Sequence, residues 1–530
     1  MTSKKNKPEP GGRQERGKKG FIIIQVDGLA YEDFLRGSYA KKTKFLSGLL
    51  SAKSKKPYLL KQIHSGLPSD TPYFQACLFY NDGSKIPGFR YYIKNENKKI
   101  TFKSPENTRF VEEKYYNRPG LLKNGSCYIS LLAGGAKKTL FTVSRSIQKD
   151  YEDRVFGLWA LIKSVFNLPW TIRLVVLCIR EALVEIRDFI IYALKKKTQR
   201  AEWMFPLERI FNNIIFREGA LKSIKEDTGE GVKKIYADFN IYDETSHQRG
   251  PAEKLTYSTL KDIDSAIKKI FKYARKSKKT KYDIYVLSDH GETPSYPFTW
   301  KNKVSFEDFV KSAASENISE SGNNPRRWDT YFIKSILSTP MLKKLFNRKI
   351  SETGPEREEE RVAKYENIIV RYSCCMANIY FKNLKQGSSY SEIEREYPGI
   401  IRKIINHADI GFAAARIKGG KIIIGKKGKV ILSKTGKKIT SGINPLDAYG
   451  EAEKTGDDIC SLLDRDFSGD IIVMGAYRDG KIINFEEQMS AHGGLGGPQN
   501  SAFIMHPESV KVPEIRDIKD IHGIFEKYTG

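Results

Sequence analysis

Apolar positions along the chain fall into two kinds of pattern. Short unbroken runs rich in β-branched and aromatic residues occur at "FIIIQV" (21–26), "KKIYADFNIY" (233–242) and "YDIYVLS" (282–288). Runs of that length without strict alternation predict strands buried on both faces, as in a parallel sheet. Between the second and third runs, Leu260, Ile263, Ile267, Ile270, Phe271 and Ala274 recur at helical spacing. Strand, helix and strand in that order predict a βαβ unit. "DIIVMG" (470–475) and "AFIM" (502–505) predict two further strands. The expected fold class is α/β, with a central, largely parallel sheet flanked by helices.

Two stretches depart from this rhythm. Residues 151–231 carry long helical patterns around Trp159, Phe166 and Trp170 and predict a helical insertion, a hairpin lying outside the sheet. Its most apolar part, 171–194, is interrupted by Arg173, Arg180, Glu181, Glu185, Arg187 and Asp188, so an amphipathic helix is expected there and not a membrane span. Residues 411–440 hold short β runs separated by Gly-Gly, Lys-Lys-Gly and Thr-Gly, which predict a small β meander. The expected organisation is a disordered basic tail (1–20), a first part of the core (21–150), the insertion (151–231), and a second part of the core (232–530) that includes the meander. The tail lacks the apolar stretch of a signal peptide.

Composition adds one strong feature. Against 63 Asp+Glu the 530 residues carry 91 Lys+Arg, a net charge of +28. Such a field attracts polyanions: nucleic acid, anionic lipid or phosphorylated substrates. No nucleic-acid module or stacking motif is visible, which disfavours the first. An anionic membrane surface, met through residues 151–200 and the basic tail, is the expected macromolecular partner. The six cysteines (77, 127, 178, 374, 375 and 460) form no CxxC pair. That argues for a reducing compartment, hence a cytoplasmic protein, peripheral on the inner membrane surface.

The chemistry gathers where the predicted strands stop. Asp27 follows the first, Asp243 and His247 follow the second, and Asp289-His290 follow the third. In open α/β sheets the carboxyl ends of strands share one edge, so these side chains are expected to converge. Asp243 and His247 are four residues apart, one helical turn, a spacing that puts two ligands on one face. The glycine-rich "MSAHGGLGGPQN" (489–500) presents His492. In "SGLPSDTPYFQACLFY" (65–80), Pro72 suits a first helical position and makes Thr71 the expected N-cap. Its hydroxyl would then stand at a helix N-terminus, a natural anion site.

"VDG" after the first strand, a Thr opening a helix, "YDETSHQRGP", "LSDHGE" and "SAHGG" occur in a recognisable order. That order resembles the alkaline phosphatase superfamily, and most closely its type I phosphodiesterase/nucleotide pyrophosphatase branch, over about residues 21–298 and 465–506. The resemblance implies an alkaline phosphatase-like sheet and two divalent ions, Zn²⁺ first and Mn²⁺ second. Asp27, Thr71, Asp289 and His290 match one ion's site, and Asp243, His247 and His492 the other's. It further implies a metal-dependent hydrolase with Thr71 as nucleophile and a phosphodiester or nucleotide-like substrate. Two departures concern the substrate. Family members carry Phe-Pro-Asn-His after the nucleophile, where this chain has Pro72-Tyr73-Phe74-Gln75, and a phosphate-binding Asn where "IPGFRYY" (86–92) offers Arg90 and Tyr92. Gln75, Arg90 and Tyr92 are therefore the expected substrate contacts. Two alternatives stay open: a phosphomonoesterase or phosphotransferase of the same superfamily, and a basic membrane-surface or nucleic-acid-binding protein with a degenerate enzyme core.

Overall fold

A central sheet of seven strands organises the molecule: β1 (Lys19–Val26), β2 (Tyr58–His64), β3 (Ser126–Ser130), β4 (Lys138–Thr142), β5 (Lys234–Phe239), β6 (Lys281–Leu287) and β7 (Ser501–Pro507). The structure is a computed structural model and describes residues 19–147, 168–194, 205–314, 367–433 and 438–528. The basic tail, apart from its last two residues, and Trp159 and Phe166 of the expected helical insertion lie outside the described residues. The spatial order is β2-β7-β6-β1-β5-β3-β4. Only β7 runs antiparallel to its neighbours; β1 pairs in parallel with both β5 and β6. The fold is thus α/β with a largely parallel central sheet.

The unbroken apolar runs are explained by burial on two sides. Phe21 and Ile23 join Tyr236, Tyr285 and Leu287 in one core. Ile22, Ile24 and Val26 join Ile235, Ala237, Ile284 and Val286 in the other. One core packs helix α1 (Thr71–Tyr80) against the sheet. The other packs α4 (Lys254–Lys276), whose Leu260, Ile263, Ile267, Ile270, Phe271 and Ala274 are all buried as their spacing predicts. A second sheet of seven strands is antiparallel throughout. Its order is 368–373, 376–381, 471–475, 410–417, 420–425, 428–433 and 438–442. The meander read near 411–440 forms the outer four strands of this larger sheet, and the run at 470–475 is a strand of it.

Within the stretch read as an insertion, α2 (Leu168–Leu194) keeps most of its surface exposed. The helix Arg217–Glu230 does not stand apart: Ala220, Leu221 and Ile224 pack on the central sheet. This last helix flanks the sheet because its apolar residues complete the core that α4 begins.

Helix α1 is buried at all ten positions. A helix apolar all round has no solvent side, so its one long polar side chain must be satisfied internally. Gln75 is, and this corrects the expectation that it contacts substrate. Its Oε1 accepts from the Leu131 and Leu132 amides at 3.0 Å each, and its Nε2 donates to Tyr236 Oη at 3.2 Å. Gln75→Leu strands two buried N–H donors, at about 1–3 kcal/mol per group. We expect a loss of roughly 2–4 kcal/mol in urea unfolding; a loss below about 0.5 kcal/mol would show that water replaces Gln75 without difficulty.

Candidate active site

Each chemical group reaches the site from a different element. Asp27 follows β1, and Gly28 behind it has φ +70°. A Cβ at Gly28 would lie 2.7 Å from Asp243 Oδ1, so only glycine lets these two acids approach. Strand β5 ends at Phe239, three residues earlier than the apolar run suggests. Helix α3 (Ile241–Arg249) takes over and carries Asp243 and His247 one turn apart. Asp289 and His290 follow β6, and His492 comes from the glycine-rich loop beside 490–491. Thr71 opens α1 as its first residue; the N-cap is Asp70, whose carboxylate accepts from the Tyr73 amide. The N-cap assignment therefore moves from Thr71 to Asp70, because the carboxylate competes better for the amide. With Pro72 lacking an N–H and that of Tyr73 engaged, what the first turn can offer an anion is the Thr71 N–H and the helix dipole.

The side chains form two adjoining donor sets. In one, atoms of Asp27, Asp289 and His290 lie within 4.8 Å of one another. The Thr71 hydroxyl donates to Asp27 Oδ1 at 3.3 Å and stands 3.4 Å from His290 Nε2. In the other, Asp243, His247 and His492 are joined by Glu292 within the same limit. The His290 and His492 rings stack at 4.0 Å where the sets meet. All seven groups read from the sequence as ion ligands are thus brought together.

Hydrogen bonding fixes which imidazole nitrogen faces the centre. The Nδ1 atoms of His247, His290 and His492 lie 3.4, 3.0 and 3.1 Å from the carbonyl oxygens of Ser490, Gly291 and Ser69. A carbonyl only accepts, so Nδ1 carries a hydrogen. His290 and His492, held neutral by burial, keep Nε2 as a lone-pair donor, whereas Asp243 favours a second hydrogen on His247 Nε2, which a bound cation would displace. That is how backbone orients metal-binding histidines.

Unpartnered acids test whether the residues fit a cation. Asp243 Oδ1, Asp289 Oδ2, Asp238 Oδ1 and both oxygens of Glu292 are buried without a hydrogen-bond partner. Burial, then repulsion from Asp289 and other acids, drives Asp27 well above the usual carboxylate range. Asp238 and Glu292 are raised by the same two causes. Burial pushes Asp289 up to about 6. Asp243 is the exception. Burial opposes its charge, but His247 beside it at 3.4 Å outweighs that and holds it low. Buried carboxylates converging with imidazole lone pairs are the donors that a divalent cation needs. The residues fit.

Sequence reading passed over Glu292, Asp238 and Cys374. An acid after His-Gly reads as a turn residue, and Asp238 sits inside an apolar run. Cys374 Sγ reaches His247 and His492, but it donates to Gln488 Oε1 at 3.3 Å, and burial keeps the thiol protonated.

Asp27, Thr71, Asp243, His247 and His492 open onto a cleft that encloses about 110 Å³. Phe89, Ile129, Leu131, Phe141 and Val143 give it an apolar wall, and Arg90 and Lys103 add cations. Arg90 lines the cleft, ion-paired with Glu486. Tyr92 does not line it: buried in the core, it packs on Tyr380 and donates to Asn97 at 2.5 Å. Residues 90 and 92 of the strand Arg90–Ile93 share a face, yet of the two only Arg90 lines the cleft.

The family model for type I phosphodiesterase / nucleotide pyrophosphatase matches residues 21–380, about two thirds of the chain. The chain belongs to that family. It is a phosphoric ester hydrolase, of a family that depends on metal. Six of the seven expected ligand residues lie inside the matched span; His492 lies beyond it. No curated protein matches the sequence. Among solved structures, phosphonoacetate hydrolase from Sinorhizobium meliloti 1021 is similar at 12% identity, over 97% of this chain and 96% of that one, with a TM-score of 0.46. Murine ectonucleotide pyrophosphatase / phosphodiesterase 5 is similar at 10% identity, over 96% and 95%, with a TM-score of 0.47. Alkaline phosphatase PafA is similar at 11% identity, over 95% and 94%, with a TM-score of 0.48.

The imidazoles supply a pH prediction. Burial pushes His290 down to about 4, and burial together with His290 pushes His492 down to about 3. Each folded value lies below the unfolded one, so neutral rings favour the folded state. Their contribution is complete above about pH 6.5 and is lost as pH falls through about 4 and about 3. In chelator-treated protein, ring resonances of both histidines should stay in the neutral position down to about pH 5. Midpoints near 6.5 would contradict the burial argument.

Proposed function

We propose that this hydrolase is a metal-dependent phosphodiesterase of the nucleotide pyrophosphatase type, acting through Thr71 as nucleophile. The observation that carries this reading is the Thr71 hydroxyl, in contact with Asp27 and His290 of one donor set while the second set adjoins through the His290–His492 stack. Asp27, Asp289, His290 and Thr71 would hold one divalent ion. Asp243, His247 and His492 would hold the other, with Glu292 as an added carboxylate. Imidazole and carboxylate donors suit Zn²⁺, and the extra acid moves the balance toward Mn²⁺. When bound, two such ions supply the positive charge that lowers the hydroxyl pKa and neutralises the departing oxygen.

The chain's own residues do the rest. Thr71 Oγ1 gives its proton to water in the cleft and attacks phosphorus in line. Its bond to phosphorus forms as the leaving alcohol or nucleotide oxygen departs and is protonated by solvent. Water then cleaves the phosphothreonine and restores the hydroxyl. Helix α1, buried on every side, holds Oγ1 in place, which is the positioning that phosphoryl transfer requires. The apolar wall gives a second ester substituent somewhere to pack, which favours a diester over a monoester. A cytoplasmic location remains part of this reading, supported by six cysteines that are all unbridged.

Metal analysis of purified protein should find two divalent ions per chain. Asp243→Ala or His247→Ala should each lose one selectively, with a further 10–100-fold weakening for Glu292→Gln if that carboxylate also ligates. Full retention of both ions in all three variants would refute the ligand sets.

Thr71→Ala should leave both ions bound, because the donor sets and the Asp70 cap persist. Turnover of bis-p-nitrophenyl phosphate should fall on the order of a thousand-fold or more, and phosphate on the Thr71 peptide should vanish from mass spectra. Wild type should prefer that diester to p-nitrophenyl phosphate. Wild-type rates in folded, metal-loaded Thr71→Ala would place the nucleophile elsewhere.

A further inference from the structure

Helix α2 sorts its residues with unusual completeness. Ile172, Val176, Ile179, Leu183, Ile186 and Ile190 recur at alternating spacings of four and three, so at 100° per residue they form one straight stripe. All six are exposed, Val176 at 58%, Ile179 at 56% and Leu183 at 61%. The three acids of the helix, Glu181, Glu185 and Asp188, are all buried on the opposite face. Glu181 and Glu185 are bound there by Arg209 at 2.5 and 3.0 Å, and Glu185 also by Arg249. The outward surface therefore carries no acid. It carries the apolar stripe and, seven residues apart along one flank, Arg173, Arg180 and Arg187, of which Arg173 also pairs with Glu218 at 3.1 Å and Arg187 with Asp188 at 2.8 Å. The sequence continues directly into Lys195, Lys196, Lys197 and Arg200.

The geometry points to an anionic lipid bilayer as the surface this face docks on. An apolar stripe with a cationic flank and no exposed acid is the arrangement of a helix lying in the membrane interface. No described helix is long and apolar enough to cross a membrane. The spacing also fits a coiled coil, but charge argues against a second copy. In an antiparallel pair the arginine flank would meet itself; in a parallel pair it would meet Val175 and Ala182, with no acid to answer it. A bilayer of anionic headgroups answers both the stripe and the arginines, and it matches a net charge of +28.

The docking helix is wired to the catalytic one. Arg249, which grips Glu185, lies on α3 two residues beyond His247. The same helical region buttresses the cleft: Phe141, on the apolar wall, packs against Phe216 at 4.4 Å.

The test is cosedimentation of the full-length protein with phosphatidylcholine vesicles, with and without about 30 mol % phosphatidylglycerol. Wild type should pellet with the anionic vesicles only, and about 0.5 M salt should release most of it. Ile179→Asp/Leu183→Asp and, separately, Arg180→Glu should each weaken binding by at least about ten-fold. Thermal unfolding checks that the variants fold, and Arg180→Glu, on an exposed face, serves if the apolar double variant does not. Failure of wild type to pellet, which would follow if another segment of the chain covers the stripe, overturns the proposal. So does unchanged binding by the variants, or a dimer that Ile179→Asp/Leu183→Asp dissociates without any effect of vesicles. None of these readouts depends on catalysis, so the enzymatic reading can stand or fall separately.

Discussion

Five buried acids at one end of a parallel sheet are the constraint around which this protein is arranged. Asp27, Asp238, Asp243, Asp289 and Glu292 crowd together, all buried, with His247 as the compensating imidazole beside Asp243. Like charges in a low-dielectric setting repel strongly, and without a counter-charge several of them must hold protons instead. A cation among them would let them stay charged. Much else follows from holding those acids in place. Gly28 lets Asp27 and Asp243 approach, backbone carbonyls turn three imidazoles inward, and the fully buried α1 fixes Thr71 beside them.

The polar contacts that stabilise the insertion obey the same economy of charge. Burying Glu181 and Glu185 is tolerable because Arg209 and Arg249 meet them with directed hydrogen bonds. Removing either acid from the surface leaves the outward face of α2 purely apolar and cationic. One set of ion pairs therefore does two things: it attaches α2 to the catalytic helix α3, and it gives α2 a face suited to an anionic surface.

Several readings were local and transferred directly. Unbroken apolar runs meant strands covered on both sides, and the spacing in 260–274 meant a helix with one buried face. Both follow from periodicity, which the chain carries without knowledge of its neighbours. Asp243 and His247 were legible because i and i+4 share a face once a helix forms. Gln75 and Tyr92 misled for one reason: proximity to Thr71 in sequence says nothing about direction when the element is buried all round. Gln75 points at Leu131 and Leu132, and Tyr92 at Tyr380.

What the sequence alone determined was the fold class, the strands and the identity of the groups at their ends, because these depend on short-range pattern and on a family order of motifs. What only the tertiary structure decided was which groups share a site. His492 lies more than two hundred residues from His290, yet their rings stack at 4.0 Å. Glu292, silent as a turn residue, becomes a ligand candidate because its buried oxygens make no hydrogen bond and stand with Asp243, His247 and His492, 3.7 Å from the His247 Nε2. The antiparallel strand 471–475 joins the second sheet, not the first, through pairing with 376–379 and 410–415. Such long-range pairings depend on which surfaces meet when the sheets close, and no local pattern of residues encodes that.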